Sequence, residues 1–474
     1  MLRVNTRSVI GLLVTGSFAL GLVGCGEEKK PEAKKPAAEA TPTKPAPAEV
    51  AKAPAQPPHP GMEIQWWHSM QGALGERVND FANKFNASQK DYKVVAVYKG
   101  QYPVSMTAAI AAFRAGNAPH ILQVFEVGTA TMMAARGAIV PVATVMKNAK
   151  EPFNPKAYLP TVAGYYTDLK GNMLSFPFNS STALFYINKD AFKKAGLEPK
   201  APKTWKELIA TAQKLKASGQ ECVYTTAWPS WVHIENFSAW HNVPIGTKQN
   251  GMGGFDTKFT VNSPLHVRHV AMLGDMAKKG LFTYAGRTNQ GDAKFSSGEC
   301  AMFTGSASAQ AGIKKAGKVD WSAHFLPYHD DVKGAPQNSI IGGASLWVMG
   351  GKKPEEYKGV AKFLAFLSQP EVQMEWHTRT GYVPITMAAY ELTRKSGYYN
   401  KEPGAETTIK QLTNKAPTAN SKGLRFGNFV QGREVIEEEM EAVFAGKKDA
   451  KTAMNDAVRR GDQILRKFEA ANKQ

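Results

Sequence analysis

Cysteine is almost missing from this chain: three residues in 474, at positions 25, 222 and 300. That excludes a scaffold built from disulfides and any zinc ribbon of paired cysteines. Long apolar runs are also missing beyond the N-terminus, which excludes a bundle of membrane-spanning helices. Acidic residues are short, with 40 Asp and Glu against 59 Lys and Arg and a formal net charge of +19. Such an excess suits nucleic acid, an anionic membrane surface or an anionic small ligand. No basic-aromatic motif supports nucleic acid, and the lysines are scattered along helices as a solvated face. There is no Gly-x-Ser-x-Gly elbow, no His-Glu-x-x-His and no P-loop lysine motif, so the common hydrolase and nucleotide signatures are absent.

What is present begins with an address. Arg3 and Arg7 precede an apolar stretch from Val9 to Val23, followed by Leu22-Val23-Gly24-Cys25. Residues 1–24 have the layout of a secretory signal, and a cysteine after a small residue has the form of a lipobox. Cys25 is the expected acylation site and new N-terminus. Residues 25–61 are rich in Pro, Ala, Lys and Glu, as in Glu32-Ala33-Lys34-Lys35-Pro36. They cannot bury a core and are expected to form a semi-rigid tether to a bacterial membrane.

From Met62 the pattern alternates strands with amphipathic helices. Strands are expected at Met62–Trp67, Tyr92–Tyr98 and His120–Phe125. Leu74, Val78, Phe81 and Phe85 fall at helical spacing between the first two, as do Met106, Ile110 and Phe113 between the next two. This β-α-β-α-β order predicts a parallel sheet, whose ligands gather beyond the carboxyl ends of the strands. Thr204 and Glu207 form a capping box, and Ser263-Pro264 opens another helix that Gly280 closes. A strand is expected from Cys300 to Thr304, running into a helix start at Ser306–Gln310. A further strand is expected at Ser345–Met349, and a long helix near Ala450–Ala471. The alternation suggests two α/β lobes around a cleft. Cys222 and Cys300 can form one disulfide in an oxidising compartment, but spacing alone does not bring them together. His266 and His269 share a helix face without a carboxylate companion and are expected to be exposed. His329-Asp330-Asp331 reads as a polar loop.

Several stretches resemble one branch of a known family: Trp67-His68-Ser69-Met70, Ala111-Ala112-Phe113-Arg114-Ala115-Gly116-Asn117-Ala118-Pro119, Glu126-Val127-Gly128-Thr129-Ala130-Thr131-Met132-Met133, Pro177-Phe178-Asn179-Ser180-Ser181 and Pro336–Trp347. They are similar to the sn-glycerol-3-phosphate-binding branch of the extracellular solute-binding proteins. The likeness runs from about Glu63 to Ala470, and the lipobox and tether depart from the soluble periplasmic form. It implies an α/β, two-lobe periplasmic-binding-protein fold of the maltose-binding type, its hinge crossed three times, near Ser175–Phe178, Asn338–Gly342 and Pro384–Met387. The implied lobes are 62–176 with 340–386, and 177–339 with 387–474. The implied role is substrate capture for an ABC importer, with two permease subunits and an ATPase as partners. The ligand is sn-glycerol 3-phosphate or a glycerophosphodiester such as glycerophosphocholine, and neither cofactor nor metal is needed.

The resemblance also implies a ligand set. Ser181, Ser306, Gly343, Tyr102, Tyr382 and Arg433 serve the phosphate. Ser306 stands where a strand yields to a helix, a place of free backbone donors. Gly343 lets a backbone N–H approach closely. The Arg433 fork suits a bidentate phosphate contact, so its loss is expected to weaken binding far more than folding. Glu126 ends the third strand and is expected to accept from glycerol hydroxyls. Trp228 and Trp231 are spaced to flank the glycerol carbons and to attract a choline cation. A binder of another polyol phosphate or an oligosaccharide, a glycerophosphodiester hydrolase and a structural envelope lipoprotein are the alternative readings.

Overall fold

The structure is a computed structural model that describes residues 60–472 except 136 and 169. The expected signal peptide, Cys25 and all but the last two residues of the tether lie outside the described residues. Among the described residues, no helix is long and apolar enough to cross a membrane.

Two sheets organise the chain. The first contains β1 (Met62–His68), β2 (Tyr92–Tyr98), β3 (Ile121–Phe125), β4 (Ile139–Val140), β5 (Phe176–Ser181) and β10 (Gly342–Met349). Its order is β2-β1-β3-β10-β4, with β5 also on β10. The strands β2, β1 and β3 are parallel, while β10 runs antiparallel to β3, β4 and β5. Trp66, Ile121, Leu122, Leu346, Trp347 and Val348 are buried within it. The parallel pairs are joined by the helices Gly72–Ser88 and Tyr102–Arg114, as the apolar spacing predicts. The second sheet holds β6 (Ala183–Asn188), β7 (Cys222–Thr226), β8 (Cys300–Ser306) and β9 (Trp321–His324), in the order β7-β8-β6-β9.

Strand membership moves one expected crossing. The whole of β5 belongs to the first sheet and β6 to the second, so the chain changes sheets at Thr182 rather than near Ser175–Phe178. It returns between β9 and β10. The helix Phe429–Phe444 touches both halves, contacting the helix Pro264–Lys278 and the turn Glu126–Gly128. Cys222 and Cys300 face each other on the parallel strands β7 and β8 and are joined as a disulfide. The capping box at Thr204 and Glu207 is present.

His266 and His269 are fully enclosed, against the expectation of exposure. Their face of the helix packs on the π-helical turn Trp231–Asn236, whose histidine they continue into a chain. Tyr224 Oη lies 3.2 Å from His233 Nε2, His233 Nδ1 3.2 Å from His269 Nε2, and His269 Nδ1 3.3 Å from His329 Nε2. His266 bridges Ser238 and Ser263. Burial pushes His233 and His241 down to about 3, and His266 and His329 down to about 4. It pushes His269 well below the usual range, helped by the neighbouring His233.

These histidines predict an acid-sensitive fold. An unfolded-chain histidine titrates near about 6.5, so below that pH the unfolded chain binds protons that the folded protein refuses. Stability is therefore complete above about pH 6.5 and falls with falling pH. Glu437 and Asp292, which burial raises to about 8 and about 7, act in the opposite sense but are outnumbered. The urea midpoint should drop between about pH 6.5 and 5, before ordinary carboxylates protonate. A midpoint constant over that interval would contradict this account.

Candidate functional site

A cavity of about 90 Å³ opens between the two sheets. The first sheet supplies Ser69 and Met70 after β1, Phe125 and Glu126 at the end of β3, and Gly343 at the start of β10. The second half supplies Trp228 and Trp231 after β7, Asp292, and Ser306 and Ser308 at the end of β8. Tyr102, Tyr382 and Arg433 complete the wall. The carboxyl ends of the parallel strands point at it, as parallel-sheet geometry requires. The halves touch around its mouth. Gln101 donates to Asn289 at 3.4 Å, and Lys315 pairs with Glu76. These contacts bridge the two halves beside the cavity.

One end is a patch of hydroxyls. Ser181 Oγ and Ser306 Oγ are 2.6 Å apart, and Ser306 Oγ is 2.8 Å from Ser308 Oγ. The Ala307 N–H donates to Ser181, and the Ser308 N–H to Ser306. Ser306 is the last residue of β8 and the helix starts only at Ala309, later than the expected start at Ser306. Ser181 stands behind this wall, holding Ser306 rather than lining the cavity. The other expected residues do line it. Tyr102 stacks on Phe125, with centroids 5.1 Å apart and planes at 6°, and accepts a bond from Asn179. Tyr382 stacks on Trp376. Burial raises both phenols above their ordinary range, so both keep a proton to donate.

The other end is an ion triad. Arg433 Nε donates to Glu235 Oε1 at 2.8 Å. Its Nη2 donates to Glu235 Oε2 at 2.7 Å and to Glu126 Oε1 at 2.6 Å. All three side chains are nearly fully buried. Burial alone would lower the arginine, but the two carboxylates outweigh it and hold the guanidinium charged. Burial raises Glu126, while Arg433 works against that rise. Both residues thus have partners within the chain while still lining the cavity. Glu126 is already engaged as an acceptor, and the Arg433 fork clasps a carboxylate of its own chain. Only Nη1 is left unused by either glutamate. Among the described lining residues, this one cation is outweighed by acids. The cavity thus offers a guest chiefly neutral O–H and N–H donors.

Trp228 and Trp231 form the aromatic wall. Trp231 lies over Gly342, where an added Cβ would meet its indole at 2.4 Å. Three enclosed polar atoms of the lining have no hydrogen-bond partner: Ser69 Oγ, Trp231 Nε1 and Asp292 Oδ1. Buried polar atoms are rarely left so, and three around one cavity mark a place for a polar guest. Sequence reasoning missed Ser69, Ser308, Glu235 and Asp292. Ser308 and Ser69 lie inside motifs that were recognised, next to residues that were chosen. Glu235 and Asp292 carry no local signal, since only the fold turns them inward.

Residues 80–407 match the family described as bacterial extracellular solute-binding protein. The sn-glycerol-3-phosphate-binding periplasmic protein UgpB of Yersinia pseudotuberculosis is 54% identical over 413 residues, covering 87% of this chain and 94% of that one. The protein of the same name from Salmonella typhimurium is 54% identical over 412 residues, covering 86% and 94%. Among solved structures, UgpB from Mycobacterium tuberculosis in complex with glycerophosphocholine aligns with a TM-score of 0.71 at 20% identity, covering 85% of this chain and 98% of that one. Maltose-bound MalE3 of T. maritima aligns at 0.70 and 17%, covering 85% and 100%. At these identities the solved structures establish the shared two-lobe fold.

Proposed function

Because the chain belongs to the bacterial extracellular solute-binding proteins, we propose that it is the periplasmic substrate-binding component of an ABC importer. Its ligand is sn-glycerol 3-phosphate or a glycerophosphodiester such as glycerophosphocholine. The observation that carries this reading is the cavity between the two sheets, with a hydroxyl patch at one end, an indole wall and three unpartnered polar atoms. The relatives at 54% identity bear the name of that ligand. A phosphate meets the serine and tyrosine hydroxyls, and the glycerol carbons lie against Trp228 and Trp231.

The magnitudes suffice. Hydrogen bonds to a charged group contribute about 1.5–3 kcal/mol each, and micromolar affinity needs about 8 kcal/mol net. Several such bonds reach that level against the cost of closure. Binding stabilises the closed arrangement, which docks on the permease subunits while their ATPase partner powers transport. The protein captures its ligand without converting it. Tryptophan fluorescence tests the reading, since two indoles line the cavity. Glycerol 3-phosphate should give a saturable change that maltose does not. Sustained choline release from glycerophosphocholine by the pure protein would contradict a binding role.

The lipobox supports a tether, with the Cys25 thiol acylated, Cys25 as the new N-terminus and residues 26–61 spacing the domain from the membrane. In the polyproline II conformation such a spacer reaches about 3.1 Å per residue. Cys25→Ala should yield unacylated protein released from membranes, with ligand affinity unchanged in calorimetry. Loss of affinity would show that the segment does more than hold the domain.

A further inference from the structure

Asp292 is the one acidic residue of the cavity wall without a countercharge. Glu126 shares Arg433, whereas Asp292 Oδ1 is enclosed and makes no hydrogen bond. Its position is fixed by backbone packing. Gly291 sits so close to β7 that an added Cβ would meet Thr226 O at 2.4 Å, and Trp228 N–H donates to Thr288 O at 2.9 Å just before the short helix Gln290–Ser296. The backbone that carries the carboxyl is therefore held against β7.

Its neighbours place it near the hydroxyl end. The carboxyl acts electrostatically on the phenols of Tyr382 and Tyr186, and Tyr186 donates to Ser306 O at 2.9 Å. The elements packed on its helix offer no free cation among the described residues. On its own helix Lys294 pairs with Glu299, and on the helix Ala309–Ala316 Lys314 and Lys315 pair with Glu402 and Glu76. The cysteines of β7 and β8 are tied in the disulfide.

We infer that Asp292 is a ligand-contacting residue that acts as a neutral acid, donating its O–H to the anionic group at the hydroxyl end and so coupling capture to one proton. This rests on the anionic ligand proposed above. An ionised carboxylate beside a phosphate oxygen would repel it at the effective dielectric of a protein interior. The protonated acid instead supplies one more donor where cations are lacking. Burial has already raised the group to about 7, so holding the proton at neutral pH costs little. A carboxyl gated in this way accepts an anion only in its protonated form.

The test is calorimetry with glycerol 3-phosphate at pH 6 to 9, in two buffers of different ionisation enthalpy, on wild type and Asp292→Asn. The amide keeps a donor and cannot titrate, so its curve contains the ligand's own titration alone. Near pH 8, wild type should take up close to one proton more per ligand than Asp292→Asn does. Its affinity should also fall about tenfold per pH unit above about 7.5 relative to the amide protein. Equal pH profiles and equal proton uptake would overturn the inference. So would a wild-type affinity that rises with pH relative to Asp292→Asn, because the ionised form would then be the binding form. Absence of glycerol 3-phosphate binding to both proteins at every pH would instead remove the proposed function itself.

Discussion

Replacing Arg433 with alanine should lower the unfolding free energy by about 3–5 kcal/mol, whatever the ligand. The guanidinium is enclosed between Glu235 and Glu126, at 2.7 and 2.6 Å, and nothing else among the described contacts neutralises them. Its removal strands two buried carboxylates from distant segments, one after β3 and one in the turn Trp231–Asn236. They must then protonate or drag water into the wall. The sequence alone suggests the opposite balance, with binding lost and folding spared. Urea unfolding separates the two. A loss below about 1 kcal/mol would show that the triad is not the keystone of this end. As a check on mechanism, Arg433→Met combined with Glu126→Gln and Glu235→Gln should recover most of the stability. Apolar or neutral replacement of a whole buried ion group is often tolerated where breaking it is not.

Gly343→Ala is expected to be the other large effect. The residue has φ +86°, and an added Cβ would stand 1.8 Å from Asn179 O and 3.2 Å from Ser181 N. The obstacles are backbone atoms of β5, so no side-chain rotation relieves them. Left-handed strain costs about 1–3 kcal/mol and overpacking a similar about 1–3 kcal/mol. The strand pushed aside carries Ser181, which holds Ser306 at 2.6 Å, so affinity should fall at least about tenfold, or about 1.4 kcal/mol. Urea unfolding and calorimetry on the same sample check both. A variant with wild-type stability and affinity would show that β5 yields freely at Asn179, and that Gly343 is not needed for close approach.

Much of this architecture is written locally. Leu74, Val78, Phe81 and Phe85 mark the first helix because their 3–4 residue spacing faces one sheet. Tyr92–Tyr98 reads as a strand because β-branched and aromatic residues crowd it. Pro264 marks a helix start because it lacks only a donor that would go unused there. The hinge is less legible. Phe176–Asn188 is one buried run broken at Thr182, and nothing in it says which half pairs with β10. The same limit governs the site. Tyr102, Ser306, Gly343 and Tyr382 could be named only because the resemblance to a known family points to them, since a serine at a strand end, a glycine pair or a tyrosine after a glycine carries no such signal by itself. The partners of Arg433 could not, since Glu235 lies 198 residues away and sequence carries no trace of that distance. His266 and His269 misled for a related reason. Histidine spacing on a helix looks solvated until three other elements bring a tyrosine, a serine and further imidazoles to meet it.

The central claim is that the cavity holds a glycerol phosphate by neutral donors and an indole wall. Isothermal titration calorimetry on residues 62–474 with glycerol 3-phosphate, glycerophosphocholine and maltose tests it most directly. Saturable one-to-one binding of a glycerol compound, micromolar or tighter, with no heat from maltose, is the predicted result. Silence with both glycerol compounds, or tight binding of maltose, would contradict it.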